Sequence, residues 1–426
     1  MIICKGVSYY WCSLVNHKSL EYMTTEYIYN KVGPVVQHLL EHKLRLVAIV
    51  TDNEASMIAA TRKIRNTYGL VDIPCAAHTI QLIVYDMFKI EFIKTFNKHI
   101  DTLFQYYTSD KSMKKAFYNN NTRQLRKPNT TRWNSRYDSY VVLKSLQPHL
   151  VDIANQFPTI SEIQMSMEQW NTLDDMLVVL KLFAGLTDML QKDNASLNTV
   201  YNAFTKITME LLTNHSQRKY TTDNFNNYKW NDFMNKNVYG RYYDNINQDA
   251  VKLVDLLMVK PNRLFLPASF NEAEKLIKSV GVSIVKHCSD TTLDNDTIYV
   301  NLNKQWNTFQ HNDVPYQITV DEQHLYTNND VPSAITYWMK RYNRTTDDEL
   351  SVLALAMLNI NPSEASVERS FSKQKFIHTP LRNSLHKETI ESLMFIKVNT
   401  VALDIVDDGV NNLVRDTESV YESSAE

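Results

Sequence analysis

The sequence predicts a mixed class, α/β plus α: a strand-and-helix core at its two ends and a long helical stretch between them. Three observations carry this. Leu46–Val50 is a short run, apolar throughout, that ends at Thr51-Asp52-Asn53, as a buried strand does. From about residue 95 to 345 apolar positions recur mostly at helical spacing between polar loops. Near the end, Leu350, Leu353, Ala354, Met357 and Leu358 mark an apolar helix that breaks at Asn361-Pro362.

In chain order, Val7–Val15 is aromatic and β-rich and reads as a strand. Met23–His42 reads as a helix on the stripe Tyr27, Val32, Val35, Val36, Leu39 and Leu40. The buried strand follows, and Asp52 or Asn53 suits the cap of a helix over Glu54–Arg65. Cys75-Ala-Ala-His78 then leads into Ile80, Ile83, Val84 and Met87 at helical spacing. In the middle, Leu177, Leu180, Phe183, Ala184 and Leu190 mark an amphipathic helix. Asn119–Asn121, Ser216–Asn227 and Leu302–Gln323 read as loops. A helix opens near Ser363, a final one spans His386–Lys397, and from Asp404 onward an acid-rich tail carries one Arg.

The 426 residues suggest two or three domains. With 45 Lys and Arg against 47 Asp and Glu, any basic surface must be local. The four scattered cysteines argue against a disulfide scaffold and for a reducing, intracellular setting. The most apolar helical run, Leu177–Leu190, contains Lys181 and Asp188, so no membrane span is expected. Glycine is scarce, and no Walker-type or GxGxxG loop is present.

Two clusters point to chemistry. Asp52 sits at the end of a buried strand, where a carboxylate is held rigidly at a crevice, although the same position suits a helix cap. Residues 111–144 carry Lys111, Lys114, Lys115, Arg123, Arg126, Lys127, Arg132, Arg136 and Lys144 against one acid, Asp138. Such a block suits phosphate contacts, and its Trp133 suits either base stacking or a core anchor. Cys75 and His78 have zinc-like spacing but no second pair nearby, so a buried cysteine at a helix start is the simpler reading.

Three segments, in order, resemble those of hAT-family DNA transposases. They are Ile49-Val-Thr-Asp52-Asn53 with Cys75-Ala-Ala-His78; Thr131-Arg132-Trp133-Asn134-Ser135 with Tyr137-Asp138; and Ser366-Val-Glu368-Arg369-Ser-Phe371-Ser372 followed by Arg382-Asn383 and Leu393–Lys397. The resemblance implies a ribonuclease-H-like core, truncated here and interrupted by a large all-helical insertion. Residues 1–90 would be its first part, 91–345 the insertion, 346–400 its last part with the dimerisation region, and 401–426 a disordered acidic tail.

By the same resemblance Asp52 and Glu368 are catalytic acids and ligands of Mg²⁺ or Mn²⁺, with Glu364 a lesser candidate four residues earlier. His78, Lys127, Arg132, Trp133 and Arg136 would touch DNA, Trp133 by capping an extruded base. Complete members carry a zinc-binding BED finger and an earlier catalytic aspartate. No such finger is present and no Asp precedes Asp52, so impaired cleavage is expected of this chain. The implied protein is nuclear, binds DNA, and forms a homodimer or higher homo-oligomer through residues 332–398. There Trp338, Leu350, Leu353, Met357, Leu358, Phe371, Leu393, Phe395 and Ile396 are dense enough to leave an apolar patch for a partner.

Overall fold

The computed structural model describes residues 2–4, 7–9, 23–109, 125, 127–129, 133–156, 164–190, 192, 195–243, 248–259, 270–289, 291–328, 330–343, 348–365, 392–394 and 399. These are mostly helical, with one two-stranded parallel sheet and one two-stranded antiparallel sheet. The chain divides into two compact units. The first takes Met1–Cys75, Leu190–Asn198 and Asn247–Glu426, and the second takes Ala76–Met189 and Thr199–Ile246. Residues 247–345, read from sequence as part of one insertion, thus cluster with the parallel sheet.

The first unit opens with β1 (Ile2–Cys4) and β2 (Val7–Tyr9), paired antiparallel with Cys4 opposite Val7. Val7–Val15 was expected to be a strand of the core. Its described part instead pairs with its neighbour in a sheet of its own, since closing a hairpin across two residues costs the chain little entropy. Helix α1 (Thr25–Glu41) starts at Thr24, whose hydroxyl accepts from the Tyr27 N–H at 3.2 Å. It buries Ile28, Val36 and Leu39.

Strand β3 (Ala48–Thr51), helix α2 (Ala55–Tyr68) and strand β4 (Val71–Pro74) form a βαβ unit, with β3 and β4 parallel and Ile49 opposite Asp72. Val36, Ile64 and Leu70 tie α1 and α2 to this pair. Strand β4 is buried at all four positions. It reads poorly in sequence because Asp72 interrupts it, but Arg65 of α2 neutralises that carboxylate at 2.9 Å. Gly69 ends α2 with φ +70°, a conformation that favours glycine, and a Cβ there would stand 3.2 Å from Ser283 Cβ.

The second unit comprises α3 (Ala76–Phe88), α4 (Glu91–Ser109), α5 (Asn134–Ser145), α6 (Gln147–Gln156), α7 (Met167–Leu190) and most of α8 (Leu197–Ser216), with the short helices α9 (Asp223–Asn227) and α10 (Trp230–Met234). Ile80, Ile83, Val84 and Met87 of α3 are all fully buried, as their spacing requires. Leu180, Phe183 and Leu190 of α7 are buried too, and no helix among the described residues is long and apolar enough to cross a membrane.

The segment 216–227, polar enough to read as a loop, is held by a buried carboxylate. Asp175 accepts from the Thr221 N–H at 2.7 Å, the Thr222 N–H at 2.9 Å and the Thr222 hydroxyl at 2.7 Å. Its aromatic residues, Tyr220 and Phe225, pack on Trp230, whose indole N–H donates to the Phe225 carbonyl at 2.9 Å.

The first unit resumes with α11 (Gln248–Leu256), α12 (Phe270–Leu276), α13 (Val282–Cys288) and α14 (Asn295–Gln310). The expected loop over Leu302–Gln323 is corrected here. Helix α14 runs on to Gln310 because Leu302 and Trp306 supply a buried stripe that the many Asn and Gln residues between them obscure.

A 3-10 turn (Val320–Glu322), α15 (Gln323–Asn328), α16 (Val331–Tyr342) and α17 (Glu349–Leu358) follow. Helix α17 corrects the expected apolar patch. Leu350, Leu353, Met357 and Leu358 are at most 1% exposed within a single chain, and so is Trp338, whose indole N–H donates to the Leu257 carbonyl at 2.6 Å. A helix apolar on every side is buried on every side. Leu393 remains partly exposed, whereas Phe371, Phe395 and Ile396 lie outside the described residues.

Candidate functional site

In the first unit, β3 and β4 end side by side. Thr51 and Pro74 are opposite each other in the ladder, and the Cys75 N–H donates to the Thr51 carbonyl at 2.7 Å. Asp52 follows at once and is half-buried, so a carboxylate does stand at the carboxyl end of a parallel strand pair. It does not cap α2 as expected. The helix begins at Ala55, and one Asp52 oxygen accepts from the Glu54 N–H at 3.3 Å in an Asx-type turn. The two-residue reach leaves the other oxygen clear of that hydrogen bond.

Cys75 is buried, and its sulfur accepts from the Glu364 N–H at 3.3 Å. This bond joins residues 289 positions apart and lays the segment after α17 against the end of β4. The segment is itself tightly turned. The Asn361 side chain accepts from the Ser363 N–H at 3.0 Å, the Ser363 hydroxyl accepts from the Ala365 N–H at 3.2 Å, and both side chains are buried. A helix opening near Ser363 was expected, and Ala365 is helical.

Glu364, the lesser acid candidate, is therefore fixed through its backbone beside the strand end, while Glu368 lies outside the described residues. Among the described residues no group of three or more His, Cys, Asp and Glu could hold a metal ion. Asp52 is thus the single described member of the expected acid pair, and one carboxylate does not by itself make a magnesium site. Cys75 is a buried cysteine just before the start of α3, and its sulfur accepts from a backbone N–H.

The expected DNA-facing residues lie in the second unit, except Arg132, which is outside the described residues. His78 is half-buried on the first turn of α3. Trp133 is 3% exposed and its carbonyl accepts from the Arg136 N–H at 2.9 Å, so it anchors the start of α5. A base could stack on that ring only after the anchor opens. Lys127 is exposed.

Arg136 is committed internally: it pairs with Asp101 at 3.0 Å and its guanidinium lies 5.8 Å from the Phe88 ring centre. Beside it Tyr140 is fully buried and donates its hydroxyl to Asn97, and burial pushes that hydroxyl up to about 12. Lys144 pairs with Asp174 at 2.7 Å. The block's charge is lower than its sequence count because α4 and α7 bring acids to it, which a reading along the chain does not see.

In a comparison with family models, residues 320–400 match the hAT family C-terminal dimerisation region. Comparison with curated proteins gives no match. The matched stretch begins at the 3-10 turn, includes α15, α16 and α17, and takes in the segment docked on Cys75.

Proposed function

We propose that this chain, which carries a hAT dimerisation region and on that ground supports its likeness to hAT transposases, is a hAT transposase-like protein that works as a homodimer on DNA in the nucleus. The observation that carries the reading is the match over residues 320–400. The placement of its Ser363–Ala365 segment at the end of the β3–β4 pair adds to it. In a ribonuclease-H-like core of this family, acids from a strand end and from a late helix converge, and that segment leads toward Glu368. Asp52 and Glu368 would then be the acids available to Mg²⁺ or Mn²⁺, which in complete members supplies phosphoryl-transfer chemistry.

For this chain by itself the proposed role is holding DNA and joining two copies, with strand cleavage impaired, since two carboxylates are fewer than the reaction uses in the family. Lys127 and the lysines and arginines before it would meet the phosphates. Binding measured with a fluorescent duplex should fall steeply with salt, by about tenfold or more between 50 and 200 mM if several phosphates are neutralised. Absence of binding at the lower salt would remove DNA from the proposal. Incubation with supercoiled DNA and Mg²⁺ or Mn²⁺ should leave it intact, and nicking that Asp52→Ala abolishes would instead mean that the chain is an active transposase.

A further inference from the structure

The first unit has a groove of about 750 Å³ between the end of α14, the turns that follow it, α15 and α16. Its walls are largely apolar and aromatic, Trp306, Phe309, Ile318 and Tyr326 among them, with Gln310 and Gln323 exposed at its lip. No Lys or Arg is among its lining residues, so a phosphate would find no cation there, which argues against nucleic acid as occupant.

Two further features sit beside it. Trp306 is 2% exposed, and its indole nitrogen is buried without a hydrogen-bond partner. A buried N–H with no acceptor leaves its desolvation uncompensated. In the same turn region Val314 is 77% and Val320 95% exposed, on either side of the groove-lining Ile318 in the chain. Two exposed apolar side chains therefore stand in the chain on either side of a residue that lines the apolar recess.

We propose that this recess is part of the homodimer interface: the Val314–Val320 turn of each copy enters the groove of the other in a two-fold contact. The inference rests on the dimerisation reading above. In a two-fold contact the exposed valines and the recess are each used once by each copy, which makes the patch self-complementary. The occupant is a second copy because the groove is continuous with the dimerisation region. Gln323, Tyr326 and Tyr337 line it and lie within residues 320–400. The interface accordingly extends before that region, to Trp306 and Phe309 on α14.

The test is sedimentation equilibrium of the full chain and of single variants at exposed positions, where folding is not at stake. Gln310→Arg and Gln323→Arg obstruct the recess, and Val314→Asp and Val320→Asp alter the exposed valines. Each should raise the dimer dissociation constant at least tenfold with an unchanged circular dichroism spectrum. Val300→Asp, on an exposed position of α14 away from the groove (62% exposed), should change it less than twofold. In an ¹⁵N spectrum the Trp306 indole N–H signal should shift with dimerisation in the wild type and not in Gln310→Arg. A dimer unaffected by all four variants but dissociated by Met339→Asp or Tyr342→Asp overturns the groove and leaves the dimerisation reading standing. A wild-type chain that stays monomeric overturns both.

Discussion

At the scale of single residues, the first unit depends on a buried ion pair that no pattern in the sequence announces. Arg341 and Glu322 are both 0% exposed and joined by two hydrogen bonds, of 2.7 and 2.6 Å. Arg341 also donates to the Gln317 carbonyl at 2.7 Å and stacks 3.6 Å over the Tyr337 ring, while Glu322 accepts from the Thr319 N–H at 3.2 Å. Burial alone would raise the Glu322 carboxyl, but the hydrogen bonds from Arg341 and Thr319 prevail and hold it at about 2.

A carboxyl held below its unfolded value contributes stability that is complete above that value and lost as pH falls through the folded one. The Glu322 contribution should therefore be full above about pH 4.5 and fade toward pH 2, with the ordinary Glu value near 4.3 as the unfolded reference. Glu322→Gln leaves Arg341 buried and uncompensated and should cost about 3–5 kcal/mol, read by urea unfolding at pH 7. A loss below about 1 kcal/mol would mean that water reaches the pair.

At the scale of elements, what reads from the sequence is what repeats with a period. Helix α3 and the buried face of α7 appear as apolar spacing, and β3 as a short apolar run before a polar stop. Strand β4 does not, because its Asp72 is acceptable only once Arg65 folds beside it. The α14 helix hides behind amides, and the 216–227 segment is ordered by Asp175 from another helix. The site is legible in the same uneven way. The strand-end position of Asp52 follows from local pattern, whereas the Cys75–Glu364 bond spans most of the chain and has no local signature.

Helix α17 shows how apolar density misleads about surfaces. Leu353 reads as interface material but is fully buried, close enough to Gly281 that an added Cβ would lie 3.1 Å from it. Leu353→Asp should consequently unfold the first unit rather than dissociate a dimer, since it buries an unpaired charge. Met339→Asp, on the outer side of α16 (47% exposed), should leave the fold intact. Thermal unfolding followed by circular dichroism compares the two, and an unchanged midpoint for Leu353→Asp would contradict the packing described.

At the scale of the whole molecule, the matched dimerisation region supports a chain that joins a second copy of itself. Dimerisation is the claim on which the others depend. On the function proposed above, it would place two basic blocks on one particle, and the effective concentration of the second block would strengthen DNA binding when both engage. Light scattering of the purified full chain across roughly 1–50 µM measures this claim most directly, a span on either side of the micromolar affinities that follow from about −8 kcal/mol of association. The expected result is a mass that rises to twice that of the chain and returns to one chain mass on dilution, or stays at two if the dimer is tight. A single-chain mass at every concentration would contradict the account.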